Sequence, residues 1–170
     1  ACFISACQQQ DENMEEIKTI KLDEKSAQVV EADNQFGLEL FQKISTSETE
    51  AENIMISPMS VALALAMTYN GAEGETKTAM EKTLKKHGLT EDEINASYKT
   101  LVNALKSLDS KVILEIANAI YYRDNFDVEK NFVSLNKEYY DAEVSPLDFN
   151  ATGEALAAIN GWVAEKTHDK

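Results

Sequence analysis

Asn53-Ile54-Met55-Ile56-Ser57-Pro58-Met59-Ser60 is the stretch of sequence that decides the fold, because a short apolar run ends there at a Ser-Pro pair. Proline at a first helical position loses no hydrogen bond, and the serine before it can cap the helix. The segment 59–69 that follows is apolar on nearly every side, which predicts a helix buried in the centre of a domain. We expect this helix to end at the pair Asn70-Gly71, a common helix-ending combination.

Helical and extended patterns alternate along the rest of the chain and indicate the α+β class. The segment Thr90-Glu91-Asp92-Glu93 has the form of a capping box, followed by apolar residues at helical spacing as far as Leu108. Asp33 or Asn34 could cap an earlier helix. Apolar periodicity predicts helices over 36–44, 79–84, 94–108, 132–139 and 156–163, a strand over 112–120 and a short extended segment over 144–149.

Four blocks of sequence, in this order, resemble the serpin family. The first is N-x-x-x-S-P-x-S with the later Gly71-Ala72-x-Gly74-x-Thr76, similar to a buried strand followed by the family's central helix. The second and third, Ile116 to Tyr121 and Tyr139 to Phe149, resemble strands of the central sheet. The fourth, Ile159 to Lys170, resembles the helix that lies across that sheet.

The resemblance implies an α+β fold, the N-terminal part of a serpin domain over residues 33–170. This part would contain helices and strands of the central sheet and would be incomplete at its C-terminal end. Family members are longer than this chain, and the reactive-centre loop of the family would lie beyond Lys170.

Four polar residues match the region of the family called the shutter, where the central sheet parts: Asn53, Ser57, Ser60 and Asn118. The simpler interpretation is that Ser57 caps the helix, Ser60 bonds a carbonyl in its first turn and Asn118 forms a local hydrogen bond. The two interpretations are compatible, since small hydroxyls satisfy buried polar groups where a sheet and a helix approach closely.

The crossing helix contributes two further residues to the resemblance. Asn160 and Trp162 would pack that helix onto the sheet. For Trp162 the alternative is ordinary core packing.

The resemblance implies a protease inhibitor that traps a serine or cysteine protease as a covalent acyl-enzyme by inserting its reactive loop into the central sheet. The complete protein would be a monomer that needs no cofactor. The alternative is a serpin-fold protein that binds or supports other molecules without inhibiting a protease.

Catalytic chemistry is not indicated by the sequence, so we expect no enzyme, no catalytic residue and no metal site. His87 and His168 stand beside charged residues and are predicted at the surface. Ser134-Leu135-Asn136-Lys137 matches S-x-x-K, but the S-D-N and K-T-G partners of that motif are absent. Cysteine and histidine lack metal-ligand spacing, and no glycine-rich phosphate loop occurs.

The composition restricts the partners. A net charge of −14 and a pI near 4.5 exclude nucleic acid and argue against heparin-like polyanions. Lys82, Lys85, Lys86 and His87 form the main basic cluster, which we interpret as the solvated end of a helix.

The N-terminus predicts export. Ile4-Ser5-Ala6-Cys7 resembles the lipobox of bacterial lipoproteins, so residues 1–6 would be the remainder of a signal peptide and Cys7 would carry lipid. Residues 7–32, mostly polar and acidic at the start, would form a flexible tether. A disulfide between Cys2 and Cys7 is the alternative, although both cysteines precede any predicted core and the bridge would stabilise no folded part of the chain. We therefore expect a protein of the cell envelope or cell surface, held to the membrane by its lipid alone, or otherwise a secreted one, since no apolar run reaches the roughly 18 to 20 residues of a membrane span.

Overall fold

The computed structural model describes residues 19–48 and 53–168, which form six helices and two strands in an α+β arrangement. Residues 1–6, the lipobox, Cys2 and Cys7 lie outside the described residues, as does the tether as far as residue 18. The elements in chain order are α1 Glu24–Ser47, α2 Pro58–Tyr69, α3 Gly74–Thr83, α4 Glu91–Lys106, β1 Ala119–Arg123, α5 Lys130–Tyr140, β2 Glu143–Leu147 and α6 Thr152–Thr167.

The two strands are parallel neighbours joined by α5. Ala119 lies opposite Glu143 and Arg123 lies opposite Leu147. Pro146 has no N–H to donate, which a strand tolerates at the edge of a sheet. The strand predicted over 112–120 is paired only from Ala119 onward, because β2 is five residues long and its first residue, Glu143, lies opposite Ala119.

The α2 helix lies at the centre of the described part of the chain, as its composition predicts. Leu63, Ala66 and Met67 are buried in a core shared with α1, α4 and α5. One face of α2 carries Ser60 and Ala64, which are exposed in the described part of the chain. No described element covers that face.

The α1 helix begins earlier than the sequence predicts. Asp23 is its N-cap and accepts a hydrogen bond from the Ser26 N–H at 2.7 Å, so Asp33 and Asn34 lie inside the helix and do not cap it. Val29 is fully buried in the core, so the predicted tether boundary at residue 32 is wrong for residues 24–32. A helix that buries its apolar side chains is stabilised by packing whatever the polarity of its other face.

Local signals fixed the ends of the next helices correctly. The Thr90 hydroxyl accepts from the Glu93 N–H at 3.2 Å, and the Glu93 carboxylate accepts from the Thr90 N–H at 2.8 Å, which completes the predicted capping box. α2 ends before Asn70-Gly71. A Cβ added at Gly71 would lie 2.9 Å from Cδ2 of Phe132, so glycine lets α5 approach the end of α2.

Lys86 is buried, which contradicts the interpretation of its cluster as a solvated helix end. Its side chain is 1% exposed, and its Nζ donates to Asp33 Oδ1 at 2.6 Å and to the Val29 carbonyl at 3.2 Å. The Tyr98 hydroxyl donates to the same Asp33 oxygen at 2.8 Å. Burial lowers the pKa of Lys86, and the negative charge of Asp33 opposes that shift. The ion pair therefore attaches the segment after α3 to the middle of α1.

Replacing Asp33 with alanine should destabilise the protein strongly, because the ammonium of Lys86 would stay buried without its carboxylate. Losing one partner of a buried pair costs about 3–5 kcal/mol. The measurement is the free energy of unfolding from urea denaturation.

The matched control is Glu39→Ala, which removes the partner of the neighbouring Lys85 from the same helix. Glu39 is 54% exposed, so its loss should cost only about 0–1 kcal/mol. Equal losses in the two variants would contradict a special role for the buried pair.

Candidate functional site around the open face of α2

The N-terminus of α2 is built from two serines that bond each other. Ser57 Oγ accepts from the Ser60 N–H at 3.4 Å, and the two hydroxyl oxygens lie 2.8 Å apart. Ser57 is thus the helix cap that the sequence predicts, while Ser60 bonds the Ser57 hydroxyl and not a carbonyl. Both serines are exposed in the described part of the chain.

A cavity of about 560 Å³ separates α2 from α6 and from the chain around β1. Ser60, Asn118 and Trp162 all line it, so the structure brings three of the predicted site residues together. Ser57, Asn53 and Asn160 are not among its lining residues. We name this space the shutter cavity.

Asn118 connects the sheet to α5. Its Nδ2 donates to the Tyr140 carbonyl at 2.9 Å, and its own carbonyl accepts from the Glu143 N–H at 2.9 Å. The bond to Tyr140 spans 22 residues and is therefore not the local bond of the simpler interpretation; it holds the chain that enters β1 against the end of α5.

The two residues predicted to pack α6 onto the sheet behave differently. Trp162 contacts Tyr121 of β1 edge to face, with ring centroids 6.5 Å apart, and its indole N–H is buried without a hydrogen-bond acceptor among the described residues. Asn160 is exposed and takes no part in that packing. Residues two positions apart in an α-helix are separated by about 200° around its axis, so Asn160 and Trp162 lie on opposite sides of α6.

Asn53 does not end a buried strand in this structure. It is exposed, and residues 53–57 have no regular secondary structure. A strand needs a partner for its backbone groups, and the sheet of the described residues consists of β1 and β2 alone.

A buried polar network at the other end of α2 was missed by the sequence analysis. Asn95 Nδ2 donates to Asn70 Oδ1 at 2.9 Å, and Asn70 Nδ2 donates to Asn136 Oδ1 at 3.3 Å. The Tyr140 hydroxyl donates to Asn95 Oδ1 at 2.7 Å. Burial raises the pKa of Tyr140, with a smaller contribution from nearby carboxylates, so its hydroxyl stays a donor at neutral pH. The sequence held one clue to this network: Asn95 is a polar residue that stands next to Ile94 on the apolar side of α4.

Neither histidine is paired with a serine or cysteine side chain in the described part of the chain. His87 and His168 are exposed, as predicted, and the His168 ring contacts Glu115 at 2.9 Å, not a serine or cysteine. In the described residues, no group of histidine, cysteine, aspartate and glutamate could hold a metal ion. The helices over residues 19–48 and 53–168 are each too short or too polar to span a lipid bilayer.

Comparison with known proteins gives one consistent family. A family model described as serpin (serine protease inhibitor) matches residues 31–170. The chain is 34% identical over 143 residues to an uncharacterized serpin-like protein of Methanosarcina acetivorans, a match that covers 84% of this chain and 33% of that protein. It is 33% identical over 144 residues to the leukocyte elastase inhibitor of Bos taurus, covering 84% of this chain and 37% of that protein.

Solved structures agree with the sequence matches. The native structure of protease nexin-1 with heparin aligns with a TM-score of 0.75 and 28% identity, covering 85% of this chain and 38% of that chain. The cleaved form of a protein named Serpin 42Da aligns with a TM-score of 0.74 and 27% identity, covering 85% of this chain and 37% of that chain. The chain therefore spans about a third of the length of the curated relatives it matches.

Replacing Tyr140 with phenylalanine should destabilise the protein by about 1–3 kcal/mol, because the buried Asn95 oxygen loses its donor. The adjacent Tyr139→Phe is the control, since the Tyr139 hydroxyl makes no hydrogen bond to a described residue. Its loss should change the free energy of unfolding by less than about 0.5 kcal/mol. Urea denaturation of both variants measures the difference, and a Tyr140→Phe variant as stable as Tyr139→Phe would refute the network's contribution.

Proposed function

The chain belongs to the serpin family, and on that premise we propose that the whole protein is a monomeric inhibitor that traps a serine or cysteine protease. The nucleophile of the target attacks a peptide bond of an exposed loop, the new amine leaves, and an acyl-enzyme forms. The loop then enters the central sheet as an added strand, as serpin loops are known to do. The nucleophile belongs to the protease, so the inhibitor itself needs no catalytic residue.

The family match carries this proposal. It extends over residues 31–170. The relatives that are 33–34% identical to this chain over the matched region include proteins named as leukocyte elastase inhibitors. The chain covers only part of those proteins, so the loop that would meet the protease is assigned by membership of the family.

The geometry around β1 supports the same proposal. One edge of β1 pairs with β2, and the other edge has no strand beside it among the described residues. The shutter cavity lies under that region, between the exposed face of α2 and α6. An unpaired edge in this part of the chain is compatible with further strands of a larger sheet in the whole protein.

Ser60 and Asn118 would then lie where the sheet opens, with Ser57 supporting Ser60 through its hydroxyl. Small polar side chains keep the helix close beneath the sheet and let strands move across it. A bulky side chain at Ser60 would hold the strands apart.

Replacing Ser60 with phenylalanine should lower the melting temperature of the whole protein and promote polymers, since overpacking costs about 1–3 kcal/mol. Native gels and thermal melting measure both effects. Ser134→Phe on the exposed side of α5 is the matched control and should stay monomeric. A monomeric Ser60→Phe protein with unchanged melting would count against the shutter assignment.

The trapping step is tested on a denaturing gel. The whole protein is incubated with trypsin-, chymotrypsin-, elastase- and subtilisin-like serine proteases and a papain-like cysteine protease, then boiled. We expect a band at the summed mass of inhibitor and protease for at least one of them, because an ester or thioester bond survives denaturant. Cleaved inhibitor alone, with every protease still active, would favour the non-inhibitory alternative.

We also propose that Cys7 carries a lipid that anchors the protein at the cell envelope after export. The sequence Ile4-Ser5-Ala6-Cys7 supports this, since small residues before cysteine fit a lipoprotein signal. A single lipid group tethers a protein without a membrane span.

Replacing Cys7 with serine should abolish incorporation of labelled palmitate during expression in a bacterial host and should move the protein from the membrane fraction to the soluble fraction. Cys2→Ser is the control and should leave both unchanged. Equal labelling of the Cys7→Ser protein and the unmodified protein would exclude Cys7 as the lipid attachment site.

A further inference from the structure

Two short segments of the chain have the acceptor pattern of N-linked glycosylation. They are Asn-Ala-Ser at residues 95–97 and Asn-Ala-Thr at residues 150–152. In this pattern, N-x-S/T with any residue except proline in the middle, the asparagine side chain receives an oligosaccharide in exported proteins. We propose that Asn150 is glycosylated in the whole protein and that Asn95 is not.

The sequence does not distinguish the two segments. An acidic residue stands two positions before each asparagine, Glu93 in the first segment and Asp148 in the second. Bacterial oligosaccharyltransferases use an acidic residue at this position as part of the acceptor. Both segments therefore carry the same amide, hydroxyl and carboxylate groups, and the fold decides which of them an enzyme can reach.

Asn150 lies at the surface, in the turn between β2 and α6. Its side chain is exposed, and so are those of Asp148 and Thr152. The Ala151 N–H donates to the Asp148 carbonyl at 3.2 Å, and the Asn150 N–H donates to Asp148 Oδ1 at 2.8 Å. These bonds close a β-turn with Asn150 at its third position, so the acceptor amide stands on a loop and not inside a helix or a strand.

The side-chain amide of Asn150 is free to react, since it makes no hydrogen bond to a described residue. The donor is an oligosaccharide attached to a lipid pyrophosphate. The amide nitrogen Nδ2 forms a bond to C1 of the first sugar and gives up one proton, while the bond from C1 to oxygen breaks and the lipid pyrophosphate leaves. The exposed Thr152 hydroxyl is available to hold the acceptor in the transferase.

Asn95 cannot take part in the same reaction while the protein is folded. It is 0% exposed, and Ser97 beside it in α4 is 3% exposed. Its Nδ2 donates to Asn70 Oδ1 at 2.9 Å, and its Oδ1 accepts from the Tyr140 hydroxyl at 2.7 Å. An enzyme would have to unwind α4 and break both bonds to reach this amide.

The start of α6 allows the second segment to enter an active site. Its N-cap residue is Ala151, and no side chain accepts a hydrogen bond from the first N–H groups of the helix. Serine, threonine, aspartate and asparagine stabilise a helix start, and alanine does not. Residues 150–152 can therefore leave the first turn of α6 without losing a capping bond.

A glycan at Asn150 is compatible with the proposed inhibitor. None of residues 148–152 lines the shutter cavity, so the modification leaves the space beneath the sheet unoccupied. In the cell the reaction takes place after export, and in that respect it rests on the proposed lipoprotein signal.

The test is transfer in vitro to the purified, native whole protein by a detergent-solubilised bacterial oligosaccharyltransferase with a lipid-pyrophosphate oligosaccharide. We expect intact-mass spectrometry to show a single added oligosaccharide and peptide mapping to assign it to Asn150. Thr152→Ala should abolish the addition and Thr152→Ser should retain it, because serine keeps the hydroxyl. Ser97→Ala, which destroys the pattern in the buried segment, is the matched control and should leave the addition unchanged.

Peptides over residues 91–99 and 146–154 and a folding check complete the experiment. Both peptides should be glycosylated, because outside the fold they carry the same acceptor pattern. The Thr152→Ala protein should melt at the temperature of the unmodified protein. A native protein that receives no oligosaccharide, a glycan on Asn95 of the native protein, equal loss in Thr152→Ala and Ser97→Ala, or a 146–154 peptide that is not an acceptor would each overturn the proposal. The use of purified protein makes the result independent of protease trapping and of lipid attachment at Cys7.

Discussion

The apolar surface of α2 is the constraint on which the rest of the structure depends. A helix with so few polar side chains is stable only when other elements remove it from water. α1, α4 and α5 do so on three sides, and the core is made where they meet α2. The close approaches at both ends of α2 need glycine, since a Cβ at Gly37 would lie 2.8 Å from Pro58 and one at Gly71 would meet Phe132.

Buried polar groups then fix which arrangement of helices is formed. Hydrophobic burial is not directional and would tolerate small rotations of α1 or α4. Lys86 must meet Asp33, and Asn95 must meet both Asn70 and Tyr140, because each would otherwise be buried without a partner. These contacts connect residues 53, 25 and 45 positions apart in the chain, so they tie distant segments to one geometry.

The candidate site lies at the face of α2 that the other helices of the core do not cover. This exposed face, β1 with the chain before it and one side of α6 line a cavity, and the small polar residues Ser60 and Asn118 lie there together with the charged Glu115 and Lys166. The chain belongs to the serpin family, and under the proposed function this cavity lies where the central sheet opens.

The sequence by itself determined the features whose causes are local. The Ser57-Pro58 start of α2, its end before Asn70-Gly71 and the capping box of α4 depend on residues within four positions of one another, and all three predictions are confirmed. Only the tertiary structure decided that Lys86 is buried, that the paired strand begins at Ala119 and that Ser60, Asn118 and Trp162 surround one cavity. The physical reason is that burial and strand pairing depend on segments elsewhere in the chain. No local pattern of residues specifies which segment packs against a given side chain or pairs with a given strand.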